Sequence, residues 1–493
     1  MRDQIQSRFA KTKIIATLGP ASASRERLNQ MLDAGLDVCR LNFSHGDLDE
    51  HQRTLELVRS VAAERDEPIC IIGDLCGPKI RLGTFAGGSV ELKAGDEVRF
   101  VRGDGPCDAG RLTVSYPRFV DEVTPGQRIY IDDGLVRLLV LDRREPRAGA
   151  GHDELSCTCT TGGTISSHKG VNLPDTRLSS PALTDKDRTD LAWAIRHELD
   201  YVALSFVRRP EDLHELKRVI KDAASDMPVI IKIEKPEALD HLDELIAHTD
   251  AVLVARGDLG VETDLWRVPL VQKDIVTRCR AAGVPVIVAT QMLQSMVDKP
   301  TPTRAEVSDV ANAIFEGTDA VMLSGETAVG HYPVEAVDVM NRVAIAVGEY
   351  LAQRPSCGPS ASVAVQQRST AAVAHAAVQA ALDLDARLVA VWSATGATAR
   401  QVARYRLPMP VVGLTYDERV YRRIGLLFGV IPIRVQPLDN PAAMAEALDA
   451  LLLRHKLAAA GDLIVVVTST RPTTPGATDT ALVRRVESAE PRP

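Results

Sequence analysis

The segments IKIEKPE (231–237) and VARGDLGVE (254–262) hold the residues best suited to chemistry in this sequence. Lys232 lies two residues before Glu234, so an extended strand projects both side chains to one face. Glu234 and Asp258 end successive apolar runs, and their carboxylates can converge on one ion. Two protein oxygens, with the rest from water and ligand, is how Mg²⁺ is commonly held. Gly257 lets the backbone approach a ligand closely. The N–H groups beside a helix start at that point can hold a carboxylate or a phosphate. Arg40, Arg81 and Lys169 add fixed positive charge. A metal, a lysine and several cations around one pocket are what phosphoryl transfer needs, because its transition state is mainly a problem of charge stabilisation and positioning. The chain has no GxxxxGK[ST] loop, so a nucleotide must be held in another way. A metal-dependent barrel lyase acting on a 2-oxo acid fits the same carboxylate pair.

These residues stand at the ends of short β-branched runs that recur between helical stretches. The runs are KIIATLG (13–19), DVCRLNF (37–43), PICIIGD (68–74), DYVALSF (200–206), PVIIKIE (228–234), DAVLVARGD (250–258), VPVIVAT (284–290) and DAVMLSGE (319–326). Most intervening stretches carry a helix pattern, for example RERLNQMLDAG and LVQKDIVTRCRAAG. Apolar strands covered by helices predict a parallel sheet. Eight such units predict an α/β fold of the (β/α)8 TIM-barrel type, with its active site at the C-terminal strand ends. The polar tips in chain order are Arg40, Asn42 and Ser44; Asp74; Ser205; Lys232 and Glu234; Arg256 and Asp258; Thr290; Ser324 and Glu326. Any one of them alone reads as a strand-end residue bonded to a neighbouring loop. Two acids and a lysine on adjacent strands 5 and 6, within a ring of polar tips, read as a site.

The crossover from strand 3 to strand 4 exceeds a hundred residues and contains alternating runs, SVELKAGDEVRFV and QRIYIDDGLVRLLVLD, with Asp-Gly and Pro-Gly turns. An inserted all-β lid domain is expected there, beside the barrel mouth. It is entered through GDLCGPKIRLG (73–83), where Asp74 precedes a Gly77-Pro78 break and the cations Lys79 and Arg81. Past residue 350 a linker, RPSCGPSAS, leads to a second α/β unit with strand-like runs at 387–393, 410–415, 430–435 and 463–469. The expected division is residues 1–78 and 175–350 for the barrel, 79–174 for the lid and 351–493 for a C-terminal α/β domain.

Composition narrows the partners. The formal charge of −8 over 493 residues, with no long basic block, argues against nucleic acid. No apolar run approaches the ~18 residues of a membrane span. The start, MRDQIQSRFAKTK, lacks the apolar core of a secretory signal, so no membrane partner and a cytoplasmic location are expected. Eight cysteines in a chain of this length are no disulfide framework. Cys157 and Cys159 read as one face of a strand rather than a metal pair.

RLNFSHG (40–46), GPKIR (77–81), KGVNLP (169–174), IKIEKPE, VARGDLGVE, ATQML (289–293) and PTRAEVSDVANAIFEGTDAVMLSGETA (302–328) together resemble the pyruvate kinase family, in register over about the whole chain. The resemblance implies glycolytic transfer of phosphate from phosphoenolpyruvate to ADP, followed by protonation of enolpyruvate. It places Mg²⁺, or Mn²⁺ in its stead, on Glu234 and Asp258, and makes Lys232 and Arg40 neutralise the phosphoryl group. The Gly257 and Asp258 amides and the Thr290 hydroxyl would hold the substrate carboxylate. Thr290 and Ser324, through water and Glu326, would carry the proton, and His45, Arg81 and Lys169 would lie near ADP. A homotetramer is also implied.

The sequence departs from the family pattern at one charged site. Asn42, Ser44 and Asp74 resemble the family's monovalent-cation ligands, but Leu75, Cys76, Lys79 and Leu82 stand where threonine, lysine, glutamate and threonine are usual. Two unit charges at 4 Å interact by about 4 kcal/mol at an effective dielectric near 20, enough for a lysine ammonium to disfavour K⁺ and to replace its charge. Independence of K⁺ is therefore expected, against the alternative of a solvated Lys79 at the lid hinge. In the C-terminal region, Ser393, Thr395, Gly396 and Thr398 resemble the family's effector phosphate loop, with Arg471 as a further contact. Ala397 takes the place of that loop's usual cation, which favours a sugar monophosphate or nucleotide effector over a bisphosphate. A catalytically silent sugar-phosphate sensor is the rival from another class, and it would expect damaged strand tips.

Overall fold

Each of the eight apolar runs forms a strand: β1 (Lys13–Thr17), β2 (Val38–Asn42), β3 (Cys70–Asp74), β4 (Tyr201–Leu204), β5 (Val229–Ile233), β6 (Ala251–Ala255), β7 (Val286–Ala289) and β8 (Ala320–Leu323). They pair in parallel in chain order, and β8 closes the barrel on β1. The computed structural model describes residues 10–103, 105–144, 154–353, 368–437, 441–469 and 478–488. The strands are shorter than the runs that predict them. DAVLVARGD is strand only to Ala255, and Arg256–Glu262 is helical, which puts Asp258 in a first helical turn.

The period of two along each strand separates core from site. Ile15, Val38, Ile72, Ala203 and Ile230 share one apolar cluster. Two residues further along the same strands come Thr17, Arg40, Asp74, Ser205 and Lys232, all buried and polar. The alternate positions, such as Ile14, Leu41, Ile71 and Ile231, belong to the cluster packed against the surrounding helices. Leu426, from beyond the barrel, joins the interior cluster, and Tyr201 Oη donates to the Arg423 carbonyl at 3.3 Å.

Between β3 and β4 the chain builds a six-stranded sheet and a two-stranded ribbon, Ser89–Leu92 with Gly163–Ser166. Phe100, Phe119, Cys157 and Cys159 are buried in its core, and burial pushes the Cys157 thiol up to about 12. Among the described residues no three His, Cys, Asp or Glu side chains are grouped to hold a metal. The outgoing and returning segments run side by side: Arg81 bridges Gly170, Leu82 N donates to Lys169 O at 2.9 Å and Val171 N to Ile80 O at 2.9 Å. Gly77, with φ of +67°, begins this crossing; a Cβ there would lie 2.7 Å from the Phe206 ring.

The C-terminal sheet has the order β11-β10-β9-β12-β13, from β9 (Leu388–Trp392), β10 (Val411–Thr415), β11 (Val430–Arg434), β12 (Leu463–Thr468) and β13 (Thr480–Arg485). Four are parallel, and β13 runs antiparallel at the edge. TALVRR escapes a reading by apolar runs because an exposed edge strand needs no continuous apolar face. The linker stretch 354–362 and Arg471 lie outside the described residues.

Asp200, just before β4, fastens this unit to the barrel. Its fully buried carboxylate accepts from Arg422 Nε (2.7 Å) and Ile71 N (2.8 Å) and pairs with Arg59 (3.3 Å). Removing one partner of a buried pair costs about 3–5 kcal/mol. Asp200→Ala should therefore lower the midpoint of the first urea-unfolding transition markedly. Arg278→Ala, which cuts exposed pairs with Asp243 and Asp274, should leave that midpoint where it is.

Candidate active site

Asp74 ends β3 with a carboxylate only 1% exposed. Its Oδ2 accepts from Arg40 Nε (2.7 Å) and faces Arg40 Nη2 at 2.6 Å, while Oδ1 lies 3.4 Å from Lys232 Nζ. Arg40 Nη1 donates to Thr17 Oγ1 at 2.8 Å. Lys232 Nζ donates to Ser205 Oγ (2.8 Å) and forms ion pairs with Glu234 Oε1 (2.8 Å) and Asp74. Ser205 passes its own proton to Leu75 O at 2.7 Å. Adjacent strands thus place two cations and two carboxylates in one buried layer.

The electrostatics follow from this pairing. Burial pushes the Asp74 carboxyl up, but Lys232 and Arg40 outweigh it and hold the group below its ordinary value. Burial likewise opposes the Lys232 charge, yet Asp74 and Glu234 hold the ammonium well above the usual lysine value. Lys232 is a fixed cation. Burial, with Asp258 adding to it, raises Glu234 above the ordinary range despite Lys232. Glu234 Oε2 accepts from Phe206 N at 2.8 Å. Glu234 and Asp258, both hard oxygen donors, fit a Mg²⁺ ion.

Thr290, just past β7, has φ of +72°, unusual for a β-branched residue. Such a conformation costs about 1–3 kcal/mol and persists only where its surroundings over-determine it. Here Arg256 Nη2 donates to Thr290 O (2.9 Å), and Gly257 N donates to Thr290 Oγ1 (2.7 Å). Thr290 Oγ1 in turn donates to Ala289 O at 2.6 Å. Arg256 is held by Asp309, with contacts of 2.8 and 2.7 Å. Glu326, buried, accepts from Ser324 N (2.8 Å) and Leu293 N (3.0 Å). The structure therefore brings Gly257, Thr290, Ser324 and Glu326 onto neighbouring strand ends, with Asp258 one helical turn in.

A cleft of about 560 Å³ separates this mouth from the inserted sheet; Lys79, Asn172, Phe206, Lys235, Asp258 and Glu262 line part of it. Glu262 Oε1 joins its two sides by accepting from Asn172 Nδ2 (2.8 Å) and pairing with Lys235 (2.8 Å). The predicted nucleotide-side cations have partners of their own. Lys169 pairs with Asp132 at 2.9 Å, and Arg81 Nη1 donates to His168 O at 3.0 Å. His45 is exposed, and partial burial together with Arg81, Lys79 and Arg40 lowers its pKa.

Asn42 Oδ1 accepts from Ser44 N at 3.2 Å, beside Asp74 in the β2–β3 register. Leu75 is buried, whereas Lys79 is exposed; the ion pairs on Asp74 come from Arg40 and Lys232. In the C-terminal unit, Gly396 takes φ of +79° and Thr398 Oγ1 bonds Thr478 Oγ1 at 2.7 Å. Among the described residues Ser393 Oγ is buried without a partner, and Thr395 is exposed. Sequence reasoning left Thr17, Asp309 and Glu262 without a role and Ser205 as a bare strand tip. The period of two that makes Ile15 interior also points Thr17 into the site, so that residue was within reach; pairing partners across distant loops were not.

The chain matches the family models "Pyruvate kinase, barrel domain" over residues 9–337 and "Pyruvate kinase, alpha/beta domain" over residues 371–484. It is 42% identical over 480 residues to pyruvate kinase 2 of Synechocystis sp., covering 97% of this chain and 80% of that one. It is 42% identical over 479 residues to the pyruvate kinase of Methylorubrum extorquens, covering 96% of each. A crystal structure of a pyruvate kinase from Cryptosporidium parvum superposes with a TM-score of 0.88 at 32% identity, covering 98% of this chain and 97% of that one. A closed eight-stranded barrel whose mouth holds a buried Lys232–Glu234–Asp74–Arg40 layer, and whose whole length matches these relatives, belongs to the pyruvate kinase family.

Proposed function

We propose that this chain transfers the phosphoryl group of phosphoenolpyruvate to ADP, giving pyruvate and ATP in glycolysis. The observation that carries the reading is the buried layer in which Lys232 is held by a hydrogen bond to Ser205 and by ion pairs with Glu234 and Asp74. A cation fixed in this way neutralises charge without giving up a proton. Arg40, braced by Asp74 and Thr17, adds a second fixed charge toward the phosphoryl oxygens. Glu234 and Asp258 would hold Mg²⁺, or Mn²⁺, which when bound supplies further charge neutralisation for those oxygens.

In the reaction the phosphorus–oxygen bond to the enol oxygen breaks and a bond to the terminal oxygen of ADP forms. The amides of Gly257 and Asp258, with the Thr290 hydroxyl, hold the substrate carboxylate; the Gly257–Thr290 hydrogen bond supports their convergence. Thr290 then delivers the proton to C3 of enolpyruvate, resupplied through water along Ser324 and Glu326. His45, Arg81 and Lys169 face the nucleotide, and residues 79–174, inserted between the barrel segments 1–78 and 175–350, act as the lid over the cleft. A phosphorylated effector, a sugar monophosphate or nucleotide, is assigned to Ser393, Thr395, Gly396, Thr398 and Arg471 in a regulatory domain of residues 351–493. A cytoplasmic homotetramer completes the proposal. Among the described residues no helix is long and apolar enough to cross a membrane. The lyase reading requires neither the lid nor the nucleotide-side cations, and the sensor reading sits badly with intact strand tips.

Independence of K⁺ belongs to the same proposal. Asp74 already carries two cationic partners, and position 79 contributes a positive charge in place of the family's usual acid. The field of Lys79 reaches His45.

Lys232→Met should collapse ATP formation from phosphoenolpyruvate and ADP yet leave exchange of the pyruvate methyl protons partly intact, as read by NMR in deuterated water. Equal loss of both would refute the division of roles. In a K⁺-free coupled assay the wild-type chain should reach its full rate, and Lys79→Glu should make the rate depend on K⁺. The same substitution removes a cation from beside His45, so the imidazolium is favoured and the His45 pKa should rise in an NMR titration. Full wild-type activity only after K⁺ is added would count decisively against this part.

A further inference from the structure

Three arginines of the stretch SATGATARQVARYR (393–406) meet the barrel on the far side of the helix from the loop that precedes them. Arg400 and Arg404 stand one turn apart in and just after the helix Ala397–Ala403, and Arg406 follows with φ of +54°. Together with Arg280, from the barrel helix Val268–Ala282, they line a small, narrow cleft at the seam between the C-terminal unit and the barrel. Gly283, at the end of that helix, has φ of +71° and packs against the Arg404 side chain, 3.4–3.5 Å from where its Cβ would be.

The charges in this cavity do not balance. Asp319 is the one carboxylate among its lining residues. Its Oδ2 is already engaged by Arg406 Nη2 (2.9 Å) and Val286 N (2.9 Å). Arg280 Nη1 donates to the carbonyl of Glu316 (3.3 Å), and Arg404 donates to Ala281 O (2.7 Å) and Gln401 Oε1 (3.2 Å) and lies over the Tyr405 ring at 5.7 Å. Among the described residues the Arg400 guanidinium has no hydrogen-bond partner. Among the described residues the Nε atoms of all four arginines are buried without a hydrogen-bond partner. Arg404 is only 5% exposed. Arginine keeps its charge when buried, and a buried charge is costly unless it is paired and hydrogen-bonded. A tetrahedral oxyanion satisfies several guanidinium forks at once.

We infer that this cavity binds a phosphate group, free or as the end of a monoester, which bridges Arg280 of the barrel to Arg400, Arg404 and Arg406 of the C-terminal unit. Such an anion clamps the two units together. An adjoining cavity of about 710 Å³ shares Arg280 and Arg406 and is otherwise largely apolar, with Phe315, Leu407 and Phe428 among its walls. It offers room for the organic part of an ester.

The test is isothermal titration of the full chain with inorganic phosphate and with methyl phosphate, against chloride at equal ionic strength. Arg400→Gln is the first variant, because its side chain has no structural partner to lose. Wild type should bind phosphate, and the variant should lose at least about tenfold in affinity for one class of site, as expected on removal of a charged donor. Arg404→Met should behave likewise. Tungstate-soaked crystals should show anomalous density among the four guanidinium groups. Tighter binding of methyl phosphate than of inorganic phosphate would identify an ester as the source; the reverse would identify the free anion. No phosphate binding by the wild type, isotherms unchanged in both variants, or tungstate bound elsewhere alone would overturn the proposal.

Discussion

The barrel mouth depends on one buried carboxylate. Asp74 neutralises Arg40 on one side and Lys232 on the other, and neither cation could remain 8–9% exposed without an acid in hydrogen-bond reach. Every interior position of a closed barrel must be filled, because protein interiors pack at crystal-like density. Apolar side chains fill the lower layers, and charged ones fill the top. The top layer is stable only as a set: Thr17, Ser205 and Leu75 O absorb the donors that the acids leave free. Rigidity at the site is therefore a consequence of burial. Groups paired this closely need little reorganisation when charge develops on a bound phosphoryl group.

A second region is held by strain rather than by charge balance. Thr290 sits in left-handed backbone because Arg256, anchored by Asp309, takes its carbonyl and Gly257 takes its hydroxyl. Around the cleft, Glu262 ties Asn172, on the segment returning from the inserted sheet, to Lys235, next to Glu234. The helix that carries Asp258 also ends at Glu262. The position of the inserted sheet is in this way coupled mechanically to the carboxylates at the mouth.

Much of this was legible in the chain. Parallel strands buried on both faces must be apolar nearly throughout, so all eight barrel strands stand out as runs, and their polar tips stand out by contrast. The tips Lys232, Glu234, Asp74 and Arg40 do lie together. The edge strand Thr480–Arg485 was hidden because an exposed edge carries no such run. A helix start beside Gly257 was expected, but the strand was read on to Asp258; its end at Ala255 is set by backbone hydrogen bonding that residue type does not reveal. Lys79 shows another limit: its type and place in the chain are plain, but its exposure and the pairing of Asp74 with Arg40 and Lys232 depend on the third dimension.

By itself the sequence determined the barrel, the long insertion, the second α/β unit and the chemical inventory of the mouth. Those follow from local periodicity, from crossover length and from residue types at strand ends, all of which are properties of neighbours along the chain. The tertiary structure alone decided who pairs with whom: Asp74 with two cations, Asp309 with Arg256, Glu262 with both sides of the cleft, and Asp200 with Arg422. Those partners lie on different elements, and the energy that selects them is the cost of burying charge, which exists only once the chain has closed around it.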